Sequence, residues 1–296
     1  MSVKVRWEEM YPDELLEAIE RRPVCYLAYG LAEPHGAYNA LGLDWLKAQA
    51  LLERAAAEHG GVVAPPCVWH VQEMPTFDWF GSHGVKQSLC SSIPADLFYQ
   101  LVLYQIRAAD ARGFRAAILV TGHYGGLEND MRLLCDFYTR RSGSPLRLCA
   151  VADWEVIRFE DYKGDHAGVC ETSQLMALRP ELVDLSRKET ESPTGPWAGA
   201  EFPRPNGRSP SRELGENIVR SQIQRLGEIA RELLDSYEPR AGWVAPTLAD
   251  VADMWARFER LTRKYWGCSM TLGEYHERKL VPFPGWAELG EGHGHK

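Results

Sequence analysis

The chain has no apolar run near 18 residues and no basic stretch leading into an apolar core at Met1, so neither a membrane-spanning helix nor a signal peptide is expected. Basic residues are outnumbered 33 to 41, and the formal charge of -8 speaks against nucleic acid and anionic membrane as partners. The cysteines, at 25, 67, 90, 135, 149, 170 and 268, are odd in number and none forms a C-x-x-C pair. They argue against a disulfide framework and read as reduced core thiols. Together these absences point to the cytoplasm. With 45% hydrophobic residues among 296, the chain can bury a large core, as one big domain or one domain with an appendage.

Short apolar, β-rich runs alternate with helical stretches. The strands expected are Val24–Tyr29, a short one from Val62, Ala116–Val120 and Leu148–Val151. Helices are expected from Pro12 over residues 12–21, over Trp45 to His59 ending at Gly60-Gly61, over about Pro94 to Arg112, and over about Leu127 to Arg141. A longer one runs from Leu214 to Tyr237, with Ile218, Ile223, Leu226, Ile229 and Leu233 forming a core or interface face. This alternation predicts an α/β fold, a three-layer α/β/α sandwich around a mainly parallel sheet. Residues 188–215 are rich in proline and read as a surface loop or a flap, and Trp197 and Phe202 hint at packing. Beyond residue 240, four tryptophans mark an added helical element, and the tail with His293 and His295 reads as frayed.

Three polar clusters punctuate this pattern. Glu33, His35 and Asp44 fall within twelve residues of a loop after the first strand, and Glu33 and His35, two apart, point the same way in extended chain. His123 ends a buried strand in Thr121-Gly122-His123-Tyr124-Gly125-Gly126, the place where sites collect in open α/β sheets. The third cluster is Asp165-His166-Ala167-Gly168-Val169-Cys170-Glu171-Thr172-Ser173, ahead of an apolar helix. Capping accounts for Thr172 and Ser173 but leaves His166 and Glu171 unexplained. Carboxylate with imidazole suits zinc, manganese or iron, and a carboxylate can bridge two ions.

In order and spacing, these clusters resemble the motifs of the creatininase (creatinine amidohydrolase) family: Glu33-Pro34-His35-Gly36 with Asp44, Thr121-Gly122-His123-Tyr124-Gly125, and His166 through Ser173. The resemblance covers roughly residues 10–185, implying a creatininase-like domain over 1–240 and a C-terminal extension over 241–296. The chain departs from the family at Tyr38 and Ala40, which replace the usual His and Pro, and at Leu43. It departs again at Gly125, where creatininases carry a metal-ligating Glu, and at Gly126, where Asn is usual. The resemblance then implies two divalent ions per subunit (Zn, Mn or Fe). Glu33, Asp44 and His123 would hold one, and His35, Asp44 and Glu171 the other, with Asp44 bridging.

His166, oriented by Asp165, would shuttle the proton to the leaving nitrogen. Tyr124, Trp154, Trp69 and Cys170 would line the pocket, and a flat aromatic wall suits a planar amide or ring. Cys170 has a second reading as a thiol paired with His166, and His70 in the aromatic loop through Trp79 and His83 lines the substrate site or pairs with a metal, or else lies at the surface or behind the ligands. The activity implied is metal-dependent hydrolysis of a non-peptide C–N bond in a cyclic amide, formamide or small amide. A peptidase-like relative maturing a small peptide, or a non-catalytic metal or small-molecule binder, is the alternative. Gly125 argues against creatinine itself. A homo-oligomer, hexameric in the family, is implied as well.

Overall fold

The apolar runs form four strands, β1 (Val24–Tyr29), β2 (Val62–Val63), β3 (Ala116–Thr121) and β4 (Arg147–Ala152). The structure, a computed structural model, describes residues 4–71, 89–124, 127–158, 164–188, 207–266 and 283–291. Gly125, Gly126, Trp79, His83, Trp197, Phe202, His293 and His295 lie outside the described residues. The strands pair in parallel in the order β2-β1-β3-β4. β1 and β3 are buried along their whole length, which is why they read as unbroken apolar runs rather than alternating ones.

Each face of the sheet is covered. Cys25, Leu27 and Tyr29 of β1 pack with α1 (Pro12–Arg21), α3 (Ala95–Asp110), α4 (Leu127–Ser142) and α7 (Leu248–Thr262). Val24, Tyr26 and Ala28 face the other way, onto α2 (Leu43–His59), α5 (Val169–Leu178) and α6 (Arg212–Asp235). This is the three-layer α/β/α sandwich expected. The apolar stripe of α6 is core, since Ile223, Leu226 and Ile229 join the second cluster. Trp255, Trp266 and Trp286 are buried in the first cluster beside Phe98 and Phe137, so the tryptophan-rich end packs into the main core. No described helix is long and apolar enough to cross a membrane.

Among the helix starts that differ from expectation, two bear on the site. α2 begins at Leu43, two residues early, so Asp44 sits in a helical first turn, where the positive end of the dipole favours a carboxylate, and not in the loop. α5 begins at Val169, so Thr172 and Ser173 lie inside the helix and do not cap it. Their hydroxyls donate back to Ala167 O (3.1 Å) and Val169 O (2.5 Å). The cap is Asp165, whose carboxylate accepts from the backbone N–H groups of Cys170 (3.0 Å) and Glu171 (3.1 Å).

The topology places a crevice. From β1 the chain crosses through α2 to β2 on one side, then returns to lay β3 on the other side of β1. Strand order therefore reverses between β1 and β3, and ligands in such sheets bind outside the carboxyl ends of the strands at that point. Tyr29 and Thr121 pair at those two ends, so the loops carrying Glu33 and His123 emerge side by side.

Candidate metal centre

Close backbone approach assembles the site. A Cβ on Gly30, at the exit of β1, would lie 2.4 Å from the Trp45 nitrogen, and one on Gly122, at the exit of β3, would lie 2.1 Å from the Asp44 carbonyl oxygen. Glycine at both strand exits lets the first turn of α2 press against them. The loop between folds back through Glu33 N–H donating to Leu41 O (2.8 Å), and Asn39 Nδ2 ties it to Thr172 of α5 (3.1 Å).

The result is a buried cluster in which the Asp44 carboxylate stands between two histidines. Its Oδ1 is 3.0 Å from His35 Nε2 and its Oδ2 is 3.1 Å from His123 Nδ1. Glu33 Oε1 lies 3.0 Å from the same His123 nitrogen, and Glu171 Oε2 lies 3.8 Å from His35 Nε2. Among the described residues, Glu33, Asp44 and His123 can converge on one cation and His35, Asp44 and Glu171 on another. Glu33, His35 and His166 form a third such group.

The chemistry of the donors fits a cation. His35 Nδ1 is 3.0 Å from the Glu33 carbonyl oxygen, which can only accept, so Nδ1 carries the proton of the neutral ring and Nε2 presents a lone pair. That nitrogen is buried and makes no hydrogen bond, although three carboxylates surround it. An imidazole anchored through its far nitrogen to a backbone carbonyl is the usual posture of a metal ligand. Burial opposes charge on His35, but Asp44, Glu171 and Glu33 raise its pKa to about 9, so without a cation a proton occupies the place at Nε2 that a cation would take. Burial acts likewise on His123, which Glu33 and Asp44 push up to about 10. Against the same burial, the histidines hold Asp44 well below the usual carboxylate range, and His123 lowers Glu33. The cluster thus favours positive charge at its centre.

His166 stands at the mouth of the cluster, its side chain 44% exposed and its ring 4.4 Å from that of His35. Its Nε2–H donates to Pro34 O (3.0 Å), which leaves the Nδ1 lone pair turned toward Glu33 Oε1 at 3.9 Å. That ring is held by Pro34, while Asp165 holds the helix carrying Glu171. Tyr124 and Trp154 are half-buried and both flank Gly164. Trp69 is 56% exposed. Cys170 packs with Tyr38, Ala167 and Val169. Tyr38 donates to Ala167 O (2.8 Å), and Ala167, at φ 52°, turns its N–H onto Glu171 Oε2 (2.8 Å).

Two participants, Lys47 and Asp153, were not read from the sequence, and a third, His70, takes a supporting place behind His123. Lys47 is wholly buried, with Nζ 2.5 Å from Glu171 Oε1 and 2.6 Å from the Tyr124 hydroxyl. Its signal was the three-residue spacing from Asp44, which puts both on one helix face. Buried Asp153, just past β4, accepts from Tyr124 and faces Lys47 at 3.4 Å; burial, resisted by Lys47, pushes its pKa up to about 6. His70 is fully buried, accepts from Val71 N–H at Nδ1 (2.7 Å), and so points Nε2–H at Thr121 Oγ1, 3.3 Å away. Thr121 in turn donates to His123 O (2.8 Å). Burial and the neighbouring His123 keep His70 neutral, so it props the His123 loop.

A family model described as creatininase, creatinine amidohydrolase, matches residues 8–262. The chain belongs to the creatininase family. The match runs well past the last motif, so α7 lies inside it, beyond the span of about 10–185 suggested by the motifs. A creatinine amidohydrolase of Pseudomonas putida is 27% identical over 242 residues, covering 71% of this chain and 89% of that protein. Among solved structures, a manganese creatininase superposes with a TM-score of 0.61 at 24% identity, covering 80% of this chain and 100% of that one. A mutant creatininase complexed with creatine gives 0.62 at 24% identity, covering 77% and 98%. As a creatininase-family member, the protein is a hydrolase acting on carbon–nitrogen bonds other than peptide bonds.

Proposed function

We propose that this creatininase-family protein is a metal-dependent amidohydrolase that cleaves a C–N bond in a small amide, formamide or lactam at a centre for two divalent ions. The observation that carries the reading is the Asp44 carboxylate, with one oxygen on each histidine and the His35 Nε2 lone pair beside it without a hydrogen bond. Glu33, Asp44 and His123 would hold one ion and His35, Asp44 and Glu171 the other, as zinc, manganese or iron. Such ions, when bound, lower the pKa of water and polarise a carbonyl oxygen.

The protein groups supply the rest. Glu171 is set by Lys47 and by Ala167 N–H, and Asp165 fixes the helix beneath it. His166, half-exposed with a lone pair at Nδ1, can take a proton and return it to the departing nitrogen. Tyr124 and Trp154 offer a flat wall to a planar amide. The manganese and creatine of the related structures support a divalent ion and a small-molecule substrate. The family resemblance carries a homo-oligomer with it.

Elemental analysis of untagged protein tests the reading. About two divalent ions per chain are expected in the wild type, and Asp44→Ala should lose both together with activity. Near-zero metal in folded wild type loaded with zinc or manganese would sink it.

A further inference from the structure

Lys47 brings into this centre a charge that the hydrolytic reading leaves unexplained. Its ammonium has three protons to place: two meet Glu171 Oε1 (2.5 Å) and the Tyr124 hydroxyl (2.6 Å), and Asp153 Oδ2 stands 3.4 Å away. The side chain is locked in place. Its Nζ lies 4.4 Å from the centroid of the Tyr124 ring, and a Cβ on Gly122 would sit 3.0 Å from its Cε, so the end of β3 presses on its stem. No part of the residue reaches solvent.

This charge is placed unevenly. Its nearest carboxylates are Glu171 and Asp153, and Asp44 acts on it more weakly. On the other side, Glu33 and Asp44 meet the His123 imidazole, which is neutral when it ligates. An ion held by His35, Asp44 and Glu171 must share Glu171 with a cation in direct contact that cannot move away, whereas an ion held by Glu33, Asp44 and His123 shares with Lys47 only Asp44, which acts on the ammonium through space. Like charges within one buried cluster repel strongly because little water screens them.

We propose that Lys47 is a positioning residue that makes the centre asymmetric: a divalent ion binds tightly at Glu33, Asp44 and His123, and at least tenfold more weakly at His35, Asp44 and Glu171. This rests on the two-ion reading of the cluster. Tyr124 and Asp153 belong to the same device. Asp153 draws part of the ammonium's charge away from Glu171 and so sets how much of that carboxylate is left for the ion.

Equilibrium dialysis of the full chain, stripped of metal and titrated with manganese at neutral pH, reads both steps by elemental analysis. The wild type should bind two ions in steps at least tenfold apart. In Lys47→Met, which keeps the length and drops the charge, the second step should tighten at least tenfold, about 1.4 kcal/mol. Lys47→Arg should keep the wild-type separation. Asp153→Asn should move the opposite way, weakening the second step and leaving the first in place. It also decides the matter if circular dichroism shows that Lys47→Met does not fold. A folded Lys47→Met whose second ion binds no more tightly overturns the proposal, as does an Asp153→Asn whose second step is unchanged or tighter. Wild type that binds no manganese sinks the two-ion reading itself, whereas two equal steps that neither variant moves sink only the asymmetry.

Discussion

Around α3 and α4, three buried polar pairs are matched: Tyr99 donates to Asp130 at 2.7 Å, Tyr138 to Asp110 at 2.6 Å, and Trp266 to Thr262 at 2.9 Å. At the ends of β1 and β3 the arrangement differs. Glu33, Asp44 and Glu171 crowd together, and His35 Nε2 is buried among them without a hydrogen bond. Burying a polar group without a partner costs about 1–3 kcal/mol, and unpaired charge costs more, so a folded chain rarely keeps such a region without a use for it. The matched region holds the sandwich together; the mismatched one is built to receive charge from outside.

The sharpest test of that contrast is at the mouth of the mismatched region. His166→Ala should keep the metal content and lower kcat by about 10²–10⁴-fold, read by steady-state kinetics beside elemental analysis. Normal turnover in this variant would remove His166 from the proton path. Gly122→Ala attacks the scaffold instead. Its methyl would meet the Asp44 carbonyl oxygen at 2.1 Å, so α2 must move, and denaturant unfolding should show a loss of about 2–3 kcal/mol with weakened metal binding.

Asp153 provides a pH signature of the mismatch. Burial raises its folded-state pKa from 3.8 to about 6, so between those values the folded chain holds a proton that the unfolded chain has released. Stability therefore falls as pH rises through this window, by about 3 kcal/mol. In Asp153→Asn that contribution disappears. Metal-free melts at pH 4, 5, 6 and 7 should show the gap between wild type and variant shifting against the wild type as pH rises. Tyr138→Phe should have the smallest effect. It strips one partner from Asp110 in the matched region, and unfolding should show a loss of about 1–2 kcal/mol with metal content unchanged.

Much of this was legible from residue order. β1 and β3 announced themselves as buried apolar runs, and Glu33, His35, Asp44, His123 and Glu171 stood out because they fall in three polar clusters whose order and spacing resemble the creatininase motifs. Helix starts were less legible. Trp45 looked like the first residue of α2 because Leu43 and Asp44 resemble the end of a loop, and Thr172 looked like a cap because the true capping carboxylate, Asp165, lies four residues before α5. Lys47 and Asp153 were invisible as site residues for a different reason: a lysine on a helix and an aspartate after a strand are ordinarily solvated, and only burial makes them otherwise.

The sequence by itself determined the alternation of strands and helices, the family, and the chemistry of the donors, because these depend on local pattern and residue type. Tertiary structure decided which donors meet. It reversed the strand order between β1 and β3, brought α2 against two glycines, and turned a surface-type lysine into an internal cation facing Glu171. Those outcomes depend on which distant segments share a low-dielectric interior, and no local stretch of chain encodes that sharing.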